Sequence, residues 1–327
     1  MSKPPSSASA PAKLILCGEH AVVYGRPAIA LPLAGVRANV QVDQGRPGSG
    51  ITLRATNLHQ EWKVDGASPD PLGELALATL HHLGIPPSDL VIMIDSAIPI
   101  AGGMGSGAAV ATALVRALAA HIGCVLPAGE ISALVYTCEQ RYHGTPSGID
   151  NTVIAHERPI WFERRMGSGQ RRTVNHIEPV AIANPLTLVI GDTGVRSETR
   201  LPVGEVRQRW QADPTTYEAL FDQVGSLVRQ AREALAMGDH ESLGPLLNEN
   251  QRLLETMGVS SPELARLVQA ARDAGASGAK LSGAGWGGVM LALADDDDIT
   301  RRAIVGALKR AGAVQVLETQ IESSVLV

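Results

Sequence analysis

Aromatic residues are scarce, with four Trp, four Tyr and two Phe in 327 residues. So few rings leave little on which nucleobases could stack. An excess of positive charge is missing too. The chain has 28 Lys and Arg against 33 Asp and Glu, a formal net charge of −5, whereas nucleic-acid phosphates need a concentrated basic surface. Both absences argue against a nucleic-acid partner. There are three cysteines, Cys17, Cys124 and Cys138, too few and too far apart for a disulfide framework or a zinc ribbon. They read as reduced thiols of a cytoplasmic protein. The longest apolar stretch, from Gly107 to Ala120, is broken by Arg116. It falls short of the roughly 18–20 residues that span a bilayer, so no membrane partner is expected. The nine His residues form no HExxH or comparable zinc spacing.

What the chain does have is an aliphatic, Ala-rich composition, 45% apolar, and a length suited to about two domains. Residues 1–10, rich in Ser, Pro and Ala, read as a flexible tail without the apolar region of a signal peptide. Strand patterns fall at Lys13 to Cys17, Val36 to Val42, Ile51 to Arg54, Leu90 to Ile94, Leu186 to Ile190 and Val289 to Ala294. Helical periodicity covers Leu72 to Leu83, Ala108 to Ile122, Ile131 to Tyr142, Tyr217 to Met237, Ser242 to Met257, Pro262 to Ala274 and Ile299 to Ala311. Strands mixed with helices, without strict alternation, predict an α+β fold in two domains, 11–180 and 181–327. The acidic run Asp295 to Asp298 precedes a helix, whose positive dipole end favours acids.

Three islands carry chemistry. The first, Pro99-Ile-Ala-Gly-Gly-Met-Gly-Ser-Gly-Ala-Ala109, joins a strand to a long helix. Its glycines let a ligand approach the backbone, and the helix aims free N–H groups at the loop, which makes a phosphate cradle. It lacks the Gly-Lys-Ser/Thr of a Walker loop and only partly fits a dinucleotide fingerprint. Taken alone, it could also be a tight structural turn. The second, Lys280-Leu-Ser-Gly-Ala-Gly-Trp-Gly-Gly-Val-Met290, leads into a strand rather than a helix, which suits a loop closing over a ligand held elsewhere. In the third, Cys138-Glu-Gln-Arg-Tyr-His-Gly-Thr-Pro-Ser-Gly-Ile-Asp150, two carboxylates flank a turn. One could hold a metal while the other handles a proton. Surface carboxylates at a helix end are the plainer alternative.

These islands occur in order with a fourth block, Lys13-Leu-Ile-Leu-Cys-Gly-Glu-His-Ala-Val-Val23. Together they resemble the GHMP kinase superfamily, in the pattern of its mevalonate-phosphorylating members. Asn248 to Leu254 and Gly258 to Ser260 also resemble the family's C-terminal helical segment, so the likeness runs from about residue 10 to 295. The family's phosphate loop usually has a second Ser where this chain has Gly107. Trp286 and Val289 stand where its last motif usually has smaller residues. A Trp there could narrow or cap a phosphate site, or simply pack against a helix.

The resemblance implies a GHMP kinase-like fold, with an N-terminal mixed sheet bearing helices and a helix-rich, sandwich-like C-terminal domain. It also implies transfer of the ATP γ-phosphoryl group to the C5 hydroxyl of mevalonate. By match, Gly102, Gly103, Met104, Gly105, Ser106 and Gly107, with Gly283 and Gly285, would bind the ATP phosphates. Glu139 and Ser106 would hold Mg²⁺. Asp150 would take or orient the hydroxyl proton beside Lys13, the second catalytic residue. Glu19, His20 and Thr193 would face the substrate, and Arg196 is a candidate for its carboxylate. Other activities within the superfamily stay open, on phosphomevalonate, homoserine or a sugar, or decarboxylation of a mevalonate diphosphate. A non-catalytic ATP sensor is the alternative of another class. Whether the chain forms a homodimer is also left open.

Overall fold

The computed structural model describes residues 5–64, 70–99, 102–143, 146–166 and 173–324. Outside them lie residues 1–4 of the expected tail, residues 100 and 101 of the first island and residues 144 and 145 of the third. In chain order the strands are β1 (Ser6–Cys17), β2 (Ala28–Gln44), β3 (Ile51–Ala55), β4 (Gln60–Val64), β5 (Leu90–Ser96), β6 (Ile160–Met166), β7 (Thr173–Pro179), β8 (Leu186–Asp192), β9 (Gly278–Ser282), β10 (Val289–Ala294) and β11 (Gln315–Ile321). The helices are α1 (Pro71–His82), α2 (Ser106–His121), α3 (Ala128–His143), α4 (Ile149–His156), α5 (Arg200–Ala212), α6 (Pro214–Met237), α7 (His240–Thr256), α8 (Pro262–Asp273) and α9 (Asp298–Arg310). The fold is mixed α+β, as expected.

The chain forms two compact units, neither of them contiguous. One comprises residues 1–13, 33–100 and 105–157; the other comprises 14–32, 101–104 and 158–327. A single cut near residue 180 therefore does not separate them.

In the first unit, β3 pairs antiparallel with β4 and parallel with β5, and β5 pairs antiparallel with the latter part of β2. Helix α2 lies against β5, and α1, α2, α3 and α4 pack on one another. Residues 6–10 are not a tail but part of β1, which pairs with β2. Composition misleads there because arginines from elsewhere hold the strand. The Arg37 guanidinium donates to the Ser9 hydroxyl (2.9 Å) and Arg116 to the Ser9 carbonyl (2.9 Å). Tertiary pairing outweighs weak local propensity.

In the second unit, the sheet order β11-β8-β10-β9 is antiparallel throughout, and β8, β9 and β10 are buried along their whole lengths. The free edge of β9 is closed by side chains of α7. Asn248 accepts from the Ala279 N–H (3.0 Å) and donates to the Ser277 carbonyl (3.2 Å), while Gln251 accepts from the Leu281 N–H (2.8 Å). Such pairing satisfies backbone groups that an edge strand otherwise leaves unmade. The first part of β2 pairs with β6, and β6 with β7. The few aromatics are concentrated here. Tyr24 stacks on Phe221 (centroids 4.1 Å apart) and meets Trp210, and Tyr217 packs edge-on to Phe221.

Most helix starts are of two kinds. Asp70, Asp213 and Ser261 cap α1, α6 and α8 with their side chains, each followed by Pro at the first helical position. This is the sequence signature of a closed N-terminus. Asp239 and Asp297 do the same for α7 and α9, which gives the acidic run its role. By contrast, α2 and α4 begin after left-handed glycines, Gly105 and Gly148, with no side-chain cap. The first N–H groups of α2 are left for something else, whereas in α4 the Ile149 N–H donates to the Ser147 hydroxyl (3.4 Å). Among the described residues, no helix is long and apolar enough to cross a membrane.

Candidate active site

The first unit holds six of the expected site residues, Lys13, Gly105, Ser106, Gly107, Glu139 and Asp150. Lys13 ends that unit's part of β1 and is 3% exposed. Its ammonium lies 3.0 Å from Asp150 Oδ1. Asp150 sits in the first turn of α4, where the sequence suggests only a turn, and a carboxylate there is favoured by the helix dipole. Glu139, on α3, is buried. Burial pushes its carboxyl up to about 7, nearby Asp150 pushes the same way and Lys13 opposes. Loss of hydration penalises the charged form more than the single lysine compensates.

Gly105 is required twice over. Its φ is +71°, and a Cβ there would meet Lys13 Cγ at 2.9 Å and Ile154 at 3.0 Å. The loop can therefore lie against the lysine only as glycine. Ser106 opens α2, and a Cβ on Gly107 would stand 3.4 Å from Glu139 Oε1. A residue the motif does not single out, Asn151, fixes α4 against α3. Its amide donates to the Ser132 carbonyl (3.0 Å) and hydroxyl (2.8 Å). Its neighbour Thr152 donates to the Gly148 carbonyl (2.6 Å) at the start of α4.

The second unit gathers the others. Gly18, at φ +103°, lets the chain turn against Ala28, which a Cβ would strike at 2.5 Å. The turn presents Glu19 and His20, both buried. Glu19 is ion-paired with Lys280, which is wholly buried on β9 and also donates to the Leu281 carbonyl (2.5 Å). The lysine belongs to the second island, but nothing in the sequence marks Glu19 as its partner. His20 has a left-handed backbone, φ +60°. Its Nε2 donates to the Ala284 carbonyl at 2.9 Å, which leaves Nδ1 as an acceptor on a neutral ring. Burial pushes its pKa down to about 4, against the opposing effect of that carbonyl.

Gly102 and Gly103 lie against the second glycine loop. A Cβ on Gly288 would come within 3.0 Å of the Gly102 carbonyl, and one on Gly103 within 3.4 Å of the Ser282 carbonyl. Met104 is buried beside them in sequence, and Gly283 and Gly285 have φ of +96° and +88°. Ser282 ties β9 to β1, exchanging hydrogen bonds with the Ile15 N–H and carbonyl (3.0 Å each). The Thr193 hydroxyl donates to the Gly288 carbonyl (2.8 Å) and accepts from the Val195 N–H (3.2 Å). Arg196 is engaged by both oxygens of Asp192, at 3.1 and 3.0 Å. The local backbone thus already holds the Thr193 hydroxyl, and an ion pair holds Arg196.

The sequence matches the family GHMP kinases N terminal domain over residues 72–157 and GHMP kinases C terminal over 231–314. It is 36% identical to the mevalonate kinase of Pyrococcus horikoshii, covering 95% of this chain and 94% of that one. It is 35% identical to that of Methanothermobacter thermautotrophicus, over 88% and 89%. The fold superposes on the crystal structure of L. major mevalonate kinase in complex with R-mevalonate with a TM-score of 0.84, 31% identity and full coverage of both chains. The chain belongs to the GHMP kinase family, in its mevalonate kinase branch.

Proposed function

We infer that the chain transfers the γ-phosphoryl group of ATP to the C5 hydroxyl of mevalonate. As a member of its family it is an ATP-dependent kinase acting on a hydroxyl group. The observation that carries the finer reading is the trio Lys13, Asp150 and Glu139 in one unit, one cation paired with Asp150 and acting electrostatically on the buried Glu139. Phosphoryl transfer needs little covalent chemistry from a protein, and its catalysis is alignment and charge neutralisation. Asp150 accepts or orients the hydroxyl proton, and Lys13 holds that carboxylate in place. Ser106 and the uncapped start of α2 offer N–H groups to phosphate oxygens. In the other unit, Gly102, Gly103, Met104, Gly283 and Gly285 contribute loop backbone to the phosphates. Glu19 and the Nδ1 acceptor of His20 face the substrate's polar groups, and Thr193 acts through the loop that it buttresses.

The residues present fit Mg²⁺. Two carboxylates and a serine hydroxyl are hard oxygen donors, and a buried carboxyl that holds its proton up to about pH 7 is one that a cation would relieve. Glu139 and Ser106 would hold the ion. When bound, it would neutralise charge on the β- and γ-phosphoryl oxygens. Gly107→Ser places a hydroxyl beside Glu139, within reach of the same ion. The variant should need severalfold less Mg²⁺ for half-maximal rate, with little change in fold. An unchanged Mg²⁺ requirement would remove Gly107 from the metal's surroundings. Because Glu139 must lose its proton to ligate, Mg²⁺ affinity should fall up to about tenfold per pH unit below pH 7 and level off above it.

A substrate panel tests the reading. Purified protein with Mg-ATP should form ADP rapidly with mevalonate and far more slowly with phosphomevalonate, homoserine or galactose. ADP formation that strictly requires phosphomevalonate would overturn the assignment. No turnover with any of them would favour a sensor. Cys17 and Cys138 are buried thiols whose pKa burial raises to about 12. Such buried thiols are chemically inert.

A further inference from the structure

Within the second unit, the loop from Gly283 to Gly288 carries a run of left-handed backbone. Gly283, Gly285, Gly287 and Gly288 have φ of +96°, +88°, +143° and +77°. Trp286 sits among them at φ +57°. That conformation costs a residue with a Cβ and is nearly free for glycine. Two hydrogen bonds hold Trp286 there. Its backbone N–H donates to the Val259 carbonyl and its indole Nε1–H to the Gly258 carbonyl, both at 2.9 Å. Both acceptors lie in the connector between α7 and α8. The indole is thus committed to that connector, which answers whether it narrows a phosphate site or packs aside. The loop and connector are in close approach, since a Cβ on Gly285 would meet the Val259 carbonyl at 2.0 Å.

Trp286 lies midway between two other attachments of the same loop. Two residues earlier, the Ala284 carbonyl receives the His20 imidazole N–H (2.9 Å). Two residues later, the Gly288 carbonyl receives the Thr193 N–H (2.9 Å) and hydroxyl (2.8 Å), and the Gly288 N–H donates to Val195 (2.9 Å). A loop with four glycines in six residues has little stiffness of its own. The only side chain in it large enough to reach an outside anchor is the indole.

The geometry points to Trp286 as a positioning residue. By pinning the loop to the α7–α8 connector, it sets where the Ala284 and Gly288 carbonyls stand, and through them the orientation of His20 and the Thr193–Val195 segment. It touches no reacting atom itself. The inference rests on the substrate-side reading of His20 and Thr193 given above.

Two variants test it. Trp286→Phe keeps a ring but loses the N–H donor. Trp286→Gly suits the backbone conformation, keeps the backbone N–H and removes the indole anchor. Loss of one such hydrogen bond should raise the mevalonate KM about fivefold in Trp286→Phe, and further in Trp286→Gly, with kcat within about threefold. In both variants the amides of Thr193 and Gly288 should exchange with deuterium faster than in the parent, while those within β10 stay as they were. A lowered melting temperature with unchanged mevalonate KM, measured well below the melt, would make Trp286 a purely structural residue and overturn the inference. Unchanged exchange at Thr193 and Gly288 would overturn it as well. If the parent protein does not phosphorylate mevalonate, the functional reading fails. The exchange measurement then still decides whether Trp286 pins the loop.

Discussion

Replacing Asp150 with asparagine should lower kcat for mevalonate phosphorylation about a thousandfold, while the KM for ATP stays within a few fold. The magnitude is that of a positioned general base, about 10²–10⁴ in rate. Asparagine has nearly the same shape and can still accept from the Lys13 ammonium, 3.0 Å away in the parent. Folding should therefore survive, and the loss can be charged to the missing carboxylate. If the group acts only as the reaction proceeds, kcat and kcat/KM for mevalonate should fall together. A variant that keeps more than a tenth of the parent kcat would remove Asp150 from the chemistry. Lys13→Met gives a companion measurement. It leaves two carboxylates, Asp150 and Glu139, without their shared cation, so its damage should extend to stability as well as rate.

Replacing Lys280 with methionine should be the most destabilising single change at the site. Glu19 is 1% exposed and Lys280 wholly buried. Removing the cation leaves a carboxylate in a low-dielectric interior with its partner gone, at a cost of about 3–5 kcal/mol. For a chain of this size that should lower the melting temperature by about 4–7 °C. The double variant Glu19→Gln with Lys280→Met buries no net charge and should recover most of the stability, because a buried pair removed whole is often nearly neutral. Activity separates the two meanings of the pair. If the Glu19 carboxylate faces the substrate, the double variant melts near the parent temperature yet remains impaired. If the pair only cements β9 to the turn, activity returns with stability. A Lys280→Met variant that melts within 2 °C of the parent would show that this pair does not hold the turn.

Much of this is legible in the residues. Val289 to Ala294 reads as a strand from its unbroken apolar run and is β10. A capping side chain followed directly by proline marks the starts of α1, α6 and α8. The glycine-to-helix transition at Gly105–Ser106 reads directly as an open helix start. Other elements escape the sequence for identifiable reasons. Helix α5 buries only Pro202 and Val206, so it presents almost no apolar stripe. Helix α4 has eight residues, too short for periodicity to register, and Asp150 is consequently read as lying on a turn. Strand β6 pairs with the start of β2, a contact distant in sequence, and β7 pairs in turn with β6.

At the level of single side chains, residue type suggests a chemistry but leaves the partner unnamed. The Thr193 hydroxyl and the Arg196 guanidinium look available for substrate, yet one holds the backbone and the other an aspartate. Lys280 shows nothing of Glu19 until β9 is placed beside the turn. Trp286 carries the largest side chain at a position whose backbone favours none, and only the two carbonyls it reaches explain why it is tolerated.

The threading of the second unit has a consequence for how the protein is made. Lys280 and Glu19 are 261 residues apart, and Ser282 and Ile15 are 267 apart. On a ribosome that delivers the chain from its N-terminus at about 5–20 residues per second, residues 14–32 emerge early and wait many seconds for their partners. Until β9 arrives, the Glu19 carboxylate has no lysine and the Ile15 backbone no serine. The unit that presents Glu19 and His20 can therefore mature only after nearly the whole polypeptide has been released, and a chain stopped short of residue 282 would leave its opening motif unsupported.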